Sequence, residues 1–113
     1  MNDSTWQVFE LDKLKNELKG SAVEYLEFLS VPSMNCGLYF LKAGSKDMQA
    51  PHDEDEVYLV LSGTARMRLG DEERAVGPGS LLYVGATTDH SFFEIEEDMT
   101  LLVMFAAMPP DHG

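Results

Sequence analysis

The sequence predicts an all-β chain, an antiparallel sandwich or barrel with one short helix near the N-terminus. Short apolar runs rich in β-branched and aromatic residues recur from Ala22 onward, separated by Gly- or Pro-marked turns about every ten residues. Residues 64–69 show the two-residue period of a strand, with Ala65, Met67 and Leu69 on one face and Arg66 and Arg68 on the other. Almost no helical periodicity separates the runs, which favours antiparallel neighbours over βαβ units.

Taken in order, Trp6-Gln7-Val8-Phe9 is the material of a short edge strand. Asp12 offers an N-cap for a helix over 13–19, stopped by Gly20, with Leu11, Leu14 and Leu18 on one face. Residues 23–30 and 37–42 read as strands joined through Val31-Pro32-Ser33, and 43–47 as a loop. Residues 57–61 form an apolar strand closed by Gly63, and Gly70-Asp71 signals a hairpin. Gly77-Pro78-Gly79 fits a type II turn, Pro78 fixing φ and Gly79 supplying the positive φ that follows. Strands at 80–84, 91–95 and 99–105 complete the rhythm before a loose tail at 109–113 that carries His112. Tyr39, Tyr58, Tyr83, Phe92 and Phe93, with Met34, Met48, Met67, Met99 and Met104, are the expected core or cavity wall.

At 113 residues the chain suits one domain with one core, and 44% apolar residues exclude wholesale disorder. Eight basic against twenty acidic residues give a net charge of -12, a surface that repels phosphate. Nucleic acid and anionic membranes are therefore not expected partners. Cys36, the single cysteine, rules out an internal disulfide and a Cys-rich zinc site, and its apolar surroundings make it a small buried filler. With no signal-peptide pattern and no apolar run of spanning length, a cytoplasmic protein is expected.

The chemistry-bearing stretch is Pro51-His52-Asp53-Glu54-Asp55-Glu56, which runs straight into the strand at 57–61. In a straight strand His52 and Glu56 would stand roughly 13 Å apart at about 3.3 Å per residue, too far to share an ion. They converge only if the acidic residues bend, and Asp-Glu-Asp is turn material.

Glycines and ligand-type residues also fall at recognisable intervals. Gly44, Ala50, His52, Glu56 and Gly63 keep the spacing of the first cupin motif. Gly79, Gly85, Thr87, His90 and Glu94 keep that of the second. The chain therefore resembles a small single-domain cupin of the cupin 2 conserved-barrel type, with motif 1 at 44–63, motif 2 at 79–94 and one domain over 1–113. It departs from the family pattern at Ala50, where a second histidine is usual, and at Gly85, Thr87 and Glu94, where Pro, Gly and Asn are usual.

The resemblance implies a double-stranded β-helix, or jelly-roll barrel, with a ligand cavity in its mouth. It also implies His52, Glu56 and His90 as metal ligands. Two imidazoles and a carboxylate leave coordination positions open for water, oxygen or a chelating substrate. That set suits Fe(II) in oxygen chemistry, with Mn, Ni and Zn compatible. Gln49 and Glu94 are candidates for outer contacts, whereas Asp89 faces away from His90 in a regular strand. No separate general base stands out.

Each of these residues has a plainer reading. His52 and Glu56 in isolation would be a surface ion pair, His90 a strand-end histidine, and Asp53-Glu54-Asp55 a solvated bend. Their common motif spacing favours the metal reading. The expected function is a metal-binding cupin acting on a small organic molecule in the barrel mouth, by dioxygenase- or isomerase-type chemistry. The rival is a non-catalytic ligand binder or sensor with a depleted site, motivated by Ala50. Residues 23–29, an apolar edge strand, would serve a homodimer.

Overall fold

The structure, a computed structural model, describes residues 5–47 and 53–106. One short helix, α1 (Leu11–Asn16), precedes eight strands. They are β1 (Val23–Val31), β2 (Met34–Leu41), β3 (Glu56–Ser62), β4 (Ala65–Leu69), β5 (Glu72–Val76), β6 (Leu81–Val84), β7 (His90–Phe93) and β8 (Met99–Ala106). Two antiparallel sheets result, one ordered β1-β2-β8-β3-β6 and one ordered β5-β4-β7. This is the all-β jelly-roll architecture; among the described residues no ladder joins one sheet to the other at an edge.

Turn chemistry sets the registers. Pro32-Ser33 closes β1 onto β2 with Val31 opposite Met34, and Gly70-Asp71 closes β4 onto β5 with Leu69 opposite Glu72. At Gly77-Pro78-Gly79 the expected turn forms, Ser80 N–H donating to the Gly77 carbonyl at 2.9 Å with φ 90° at Gly79. Gly63 allows the crossing between sheets: φ is 89°, and any Cβ there would run into the Asp98 carbonyl and lie 2.7 Å from Met99 Cα.

Alternation sorts the side chains. In β3, Glu56, Tyr58 and Val60 point inward and Val57 and Leu59 outward; in β7, His90 and Phe92 point inward. Leu41, Tyr58, Val60, Leu101 and Val103 from the larger sheet meet Met67, Val76 and Phe92 from the smaller one in a single core. Each large side chain fully buried there contributes about 1.5–3 kcal/mol. Tyr58 meets Phe92 edge-on, ring centroids 5.2 Å apart.

Several expectations need correction. Residues 6–9 form no strand: Trp6 and Val8 are 75% and 71% exposed, and Phe9 packs edge-on against Phe28 at 4.9 Å instead. The helix begins one residue before Asp12, with Glu10 extended at the cap position and its carbonyl accepting from Lys13 and Leu14 N–H. Asp12 sits in the first turn, where the helix dipole still favours a carboxylate. Only Leu14 of the three expected leucines is buried. β5 carries the sequence Glu-Glu-Arg-Ala-Val on a sheet edge, with Val76 its one buried residue, so it shows no alternation. Tyr83 is 66% exposed rather than in the core. Cys36 is buried as expected, and burial pushes its thiol pKa up, keeping it protonated and inert. Among the described residues, no helix is long and apolar enough to cross a membrane.

Candidate metal and ligand site

The bend that the acidic run was expected to make is present at Asp53 and Glu54. Asp55 then ties the start of β3 into the fold. Its side chain accepts from Ala86 N–H at 2.8 Å, and its carbonyl accepts from Ala106 N–H at 2.9 Å. Those two bonds aim the next residue, Glu56, into the interior. From the facing sheet, β7 aims His90 at it, with His90 held opposite Leu69 of β4.

Glu56 and His90, each about 2% exposed, meet between the sheets with Oε1 2.8 Å from Nε2. His90 Nδ1 lies 2.8 Å from the Thr88 carbonyl, which can only accept, so Nδ1 carries a proton. In the neutral ring Nε2 then holds a lone pair. The Tyr58 hydroxyl stands 3.2 Å from Nε2 and donates to it in that state. Glu56, in turn, has no hydrogen bond aligned to either oxygen. Burial opposes a charge on the ring, but the Glu56 carboxylate, the Thr88 carbonyl and the more distant Asp47 outweigh it. The imidazolium pKa is raised above its usual 6.5.

A buried carboxylate beside an imidazole fixed by a carbonyl on its far side is an ion pair while the ring is protonated, and two adjacent metal-ligand atoms once it is not. The donor set present fits a divalent ion. Among the described residues no group of three His, Cys, Asp or Glu side chains converges on one point. The expected third ligand, His52, lies outside the described residues, as do Gln49 and Ala50. Glu94 is exposed just beyond β7, and Asp89 is exposed as expected.

The sequence reading placed Tyr58 in the core or cavity wall without setting it against His90, and it missed Asp47. Tyr58 was findable, since two residues past Glu56 in a strand returns to the same face. Asp47 had no spacing signal; it is buried in a loop, accepting from the Tyr39 hydroxyl at 2.6 Å and from Phe92 N–H at 2.9 Å.

Beside the pair, on the inward face of the larger sheet, lies a hollow of about 330 Å³. Glu56 stands opposite Phe105, and Tyr58 opposite Val103; Phe105 and Val103 line the hollow.

A protein-family model described as a cupin domain matches residues 37–105. The uncharacterized protein SCO3923 of Streptomyces coelicolor is 44% identical over 105 residues, covering 93% of this chain and 98% of its own length. The crystal structure of TT1209 from Thermus thermophilus superposes with a TM-score of 0.76 at 24% identity, over 92% of this chain and 100% of that one. DMSP lyase DddQ from Ruegeria pomeroyi gives 0.72 at 18% identity, over 80% of this chain and 49% of its own. Identities this low speak to the fold alone.

Proposed function

The chain belongs to the cupin family, and on that premise we propose that it binds one divalent transition metal through His52, Glu56 and His90. The bound ion serves a small organic molecule held in the adjoining hollow. One observation carries the reading: Glu56 is fully buried, its Oε2 has no partner, and the close neighbour of its Oε1 is another ligand-type atom, His90 Nε2 at 2.8 Å. Leaving a buried acceptor unsatisfied costs about 1–3 kcal/mol, and more for a charged one. A cation at that point removes the cost.

The bound ion supplies Lewis-acid polarisation or oxygen activation, which suits isomerase- or dioxygenase-type chemistry. The chain's own contributions are orientation and exclusion of water. Thr88 fixes the His90 ring, Tyr58 abuts its Nε2, and the burial of Glu56 and His90 keeps water from the pair. That a fold relative is a lyase supports small-molecule chemistry on this scaffold.

Elemental analysis of protein purified without a histidine tag is the test. Near-stoichiometric iron, manganese, nickel or zinc is expected, lost in His52→Ala, Glu56→Gln and His90→Ala. Apo protein that takes up no metal under anaerobic reconstitution would overturn the reading and leave the non-catalytic binder in its place.

A further inference from the structure

The hollow beside Glu56 has a chemical character of its own. Its lining includes Tyr25, Tyr39 and Phe105 as aromatic walls and Glu27 and Glu54 as charged groups, with no lysine, arginine or histidine among the described residues. Tyr25 stands edge-on to both other rings, centroids 6.4 Å apart in each case, at 64° to Tyr39 and 71° to Phe105. Tyr25 thus links the other two rings, and the three side chains form one aromatic corner of the hollow. Gly37 makes that corner possible, because the Tyr25 ring lies across it and any Cβ at position 37 would strike the phenol.

The electrostatics point the same way. Among the described residues, neither Glu27 nor Glu54 forms an ion pair with a basic side chain. Glu56, buried beside His90, adds a third carboxylate on the same face of the sheet. Burial pushes the Tyr25 phenol up to about 12, and the nearby Glu27, Cys36, Glu56 and Glu54 add to the rise. Even with a dication on Glu56 and His90, the two outer carboxylates keep the mouth negative. An anionic ligand would meet repulsion there.

We propose that this hollow selects a small organic cation, one with alkyl groups on its charged centre, seated in the Tyr25–Tyr39–Phe105 corner and neutralised by Glu27 and Glu54. Aromatic faces attract such cations through their quadrupoles, the more so when desolvated, and unpaired carboxylates supply the counter-charge. Since water occupies about 30 Å³ per molecule, about 330 Å³ admits a ligand of about ten non-hydrogen atoms. The inference rests on the hollow being the ligand site proposed above, but not on the metal.

The test compares three molecules of one shape by calorimetric titration: choline, its neutral isostere 3,3-dimethylbutan-1-ol, and the anion 3,3-dimethylbutanoate. Each is titrated into metal-free and zinc-loaded protein, with metal content measured on the same samples. Choline is expected to bind at least tenfold more tightly than the alcohol, and the anion not at all. The double variant Glu27→Gln/Glu54→Gln should cost choline about tenfold and leave the alcohol unchanged, while Tyr25→Ala should weaken both. Equal affinities for choline and the alcohol, choline binding indifferent to the double variant, or no binding by any of the three would overturn the proposal. Failure of the metal reading shows separately, as zinc that does not bind while choline still does.

Discussion

Asp47 and Glu56 are both carboxylates shut away from water, both facing β7, and the fold treats them in opposite ways. Asp47 has a donor on each oxygen, the Tyr39 hydroxyl at 2.6 Å and Phe92 N–H at 2.9 Å. Glu56, two residues before Phe92's ring partner Tyr58, has only His90 beside Oε1, a donor when protonated, and nothing on Oε2. Two charged groups of one chemistry, one saturated and one left open, divide architecture from function in this molecule. The saturated one stitches loop, larger sheet and smaller sheet together. The open one is where the structure calls for something the chain does not itself provide.

That contrast breaks most visibly under substitution. Asp47→Ala strands the Tyr39 hydroxyl and Phe92 N–H, each losing a charge-assisted bond worth about 1.5–3 kcal/mol, so a loss of about 3 kcal/mol or more is expected in urea titration. Glu56→Gln at pH 8.5, in metal-free protein, should cost nothing and can gain about 1 kcal/mol. The amide removes an uncompensated buried charge and, with the Tyr58 hydroxyl already donating to His90 Nε2, leaves that nitrogen satisfied. The same variant should lose bound metal altogether. If Glu56→Gln unfolds the protein as badly as Asp47→Ala, the two carboxylates do the same job and the distinction fails.

A smaller effect appears along the pH axis. The folded-state pKa of His90 is raised, so its pairing with Glu56 contributes in full below the unfolded value near 6.5. That contribution is lost as pH rises through the folded pKa. Metal-free wild type should therefore lose stability as pH rises above about 6.5 relative to His90→Gln, compared in parallel because the net charge of -12 adds its own repulsion as pH rises. Metal affinity runs the other way, since the ion must displace the same proton. Zinc stabilisation should grow across the window, its fall-off on acidification starting above pH 6.5 because the imidazolium pKa is raised. An apo stability difference flat in pH would remove the ion pair from the account.

How much of this could be read in advance differs between the two carboxylates. Glu56 and His90 were legible because motif spacing fixes where turns fall, and turns fix which residues point in. The strand rhythm, the Gly70-Asp71 hairpin and the Gly77-Pro78-Gly79 turn were legible for the same local reason. Asp47 was not, because its partners Tyr39 and Phe92 are 8 and 45 residues away and no local pattern encodes them. β5 was hidden by exposure on both faces of a sheet edge, and Trp6–Phe9 misled because apolar content does not supply a strand partner. The aromatic corner was out of reach as well. It depends on Gly37 sitting opposite Glu27 beside a register shift in β1, which sequence cannot place.

The smallest expected effect lies in the backbone either side of His90. Thr87 has φ 65° and Glu94 φ 47°, left-handed values that L residues reach at a cost of roughly 1–2 kcal/mol. These are the positions where the family pattern carries Gly and Asn, the two residues that tolerate such values best. The strained turns persist because neighbouring bonds hold them: Thr88 N–H to the Gly85 carbonyl at 3.1 Å, Gly70 N–H to the Asp89 carbonyl at 2.9 Å, and Phe92 N–H to Asp47. On this account the saturated carboxylate helps hold the strand that presents the ligand to the unsaturated one. Thr87→Gly should then stabilise by about 0.5–1 kcal/mol, relief of strain exceeding the entropy that glycine adds to the unfolded chain, and Glu94→Asn by about 0.5 kcal/mol. Chemical denaturation of each variant reads this directly. A loss at Thr87→Gly would mean that its side chain, not the turn's shape, is what position 87 supplies to His90.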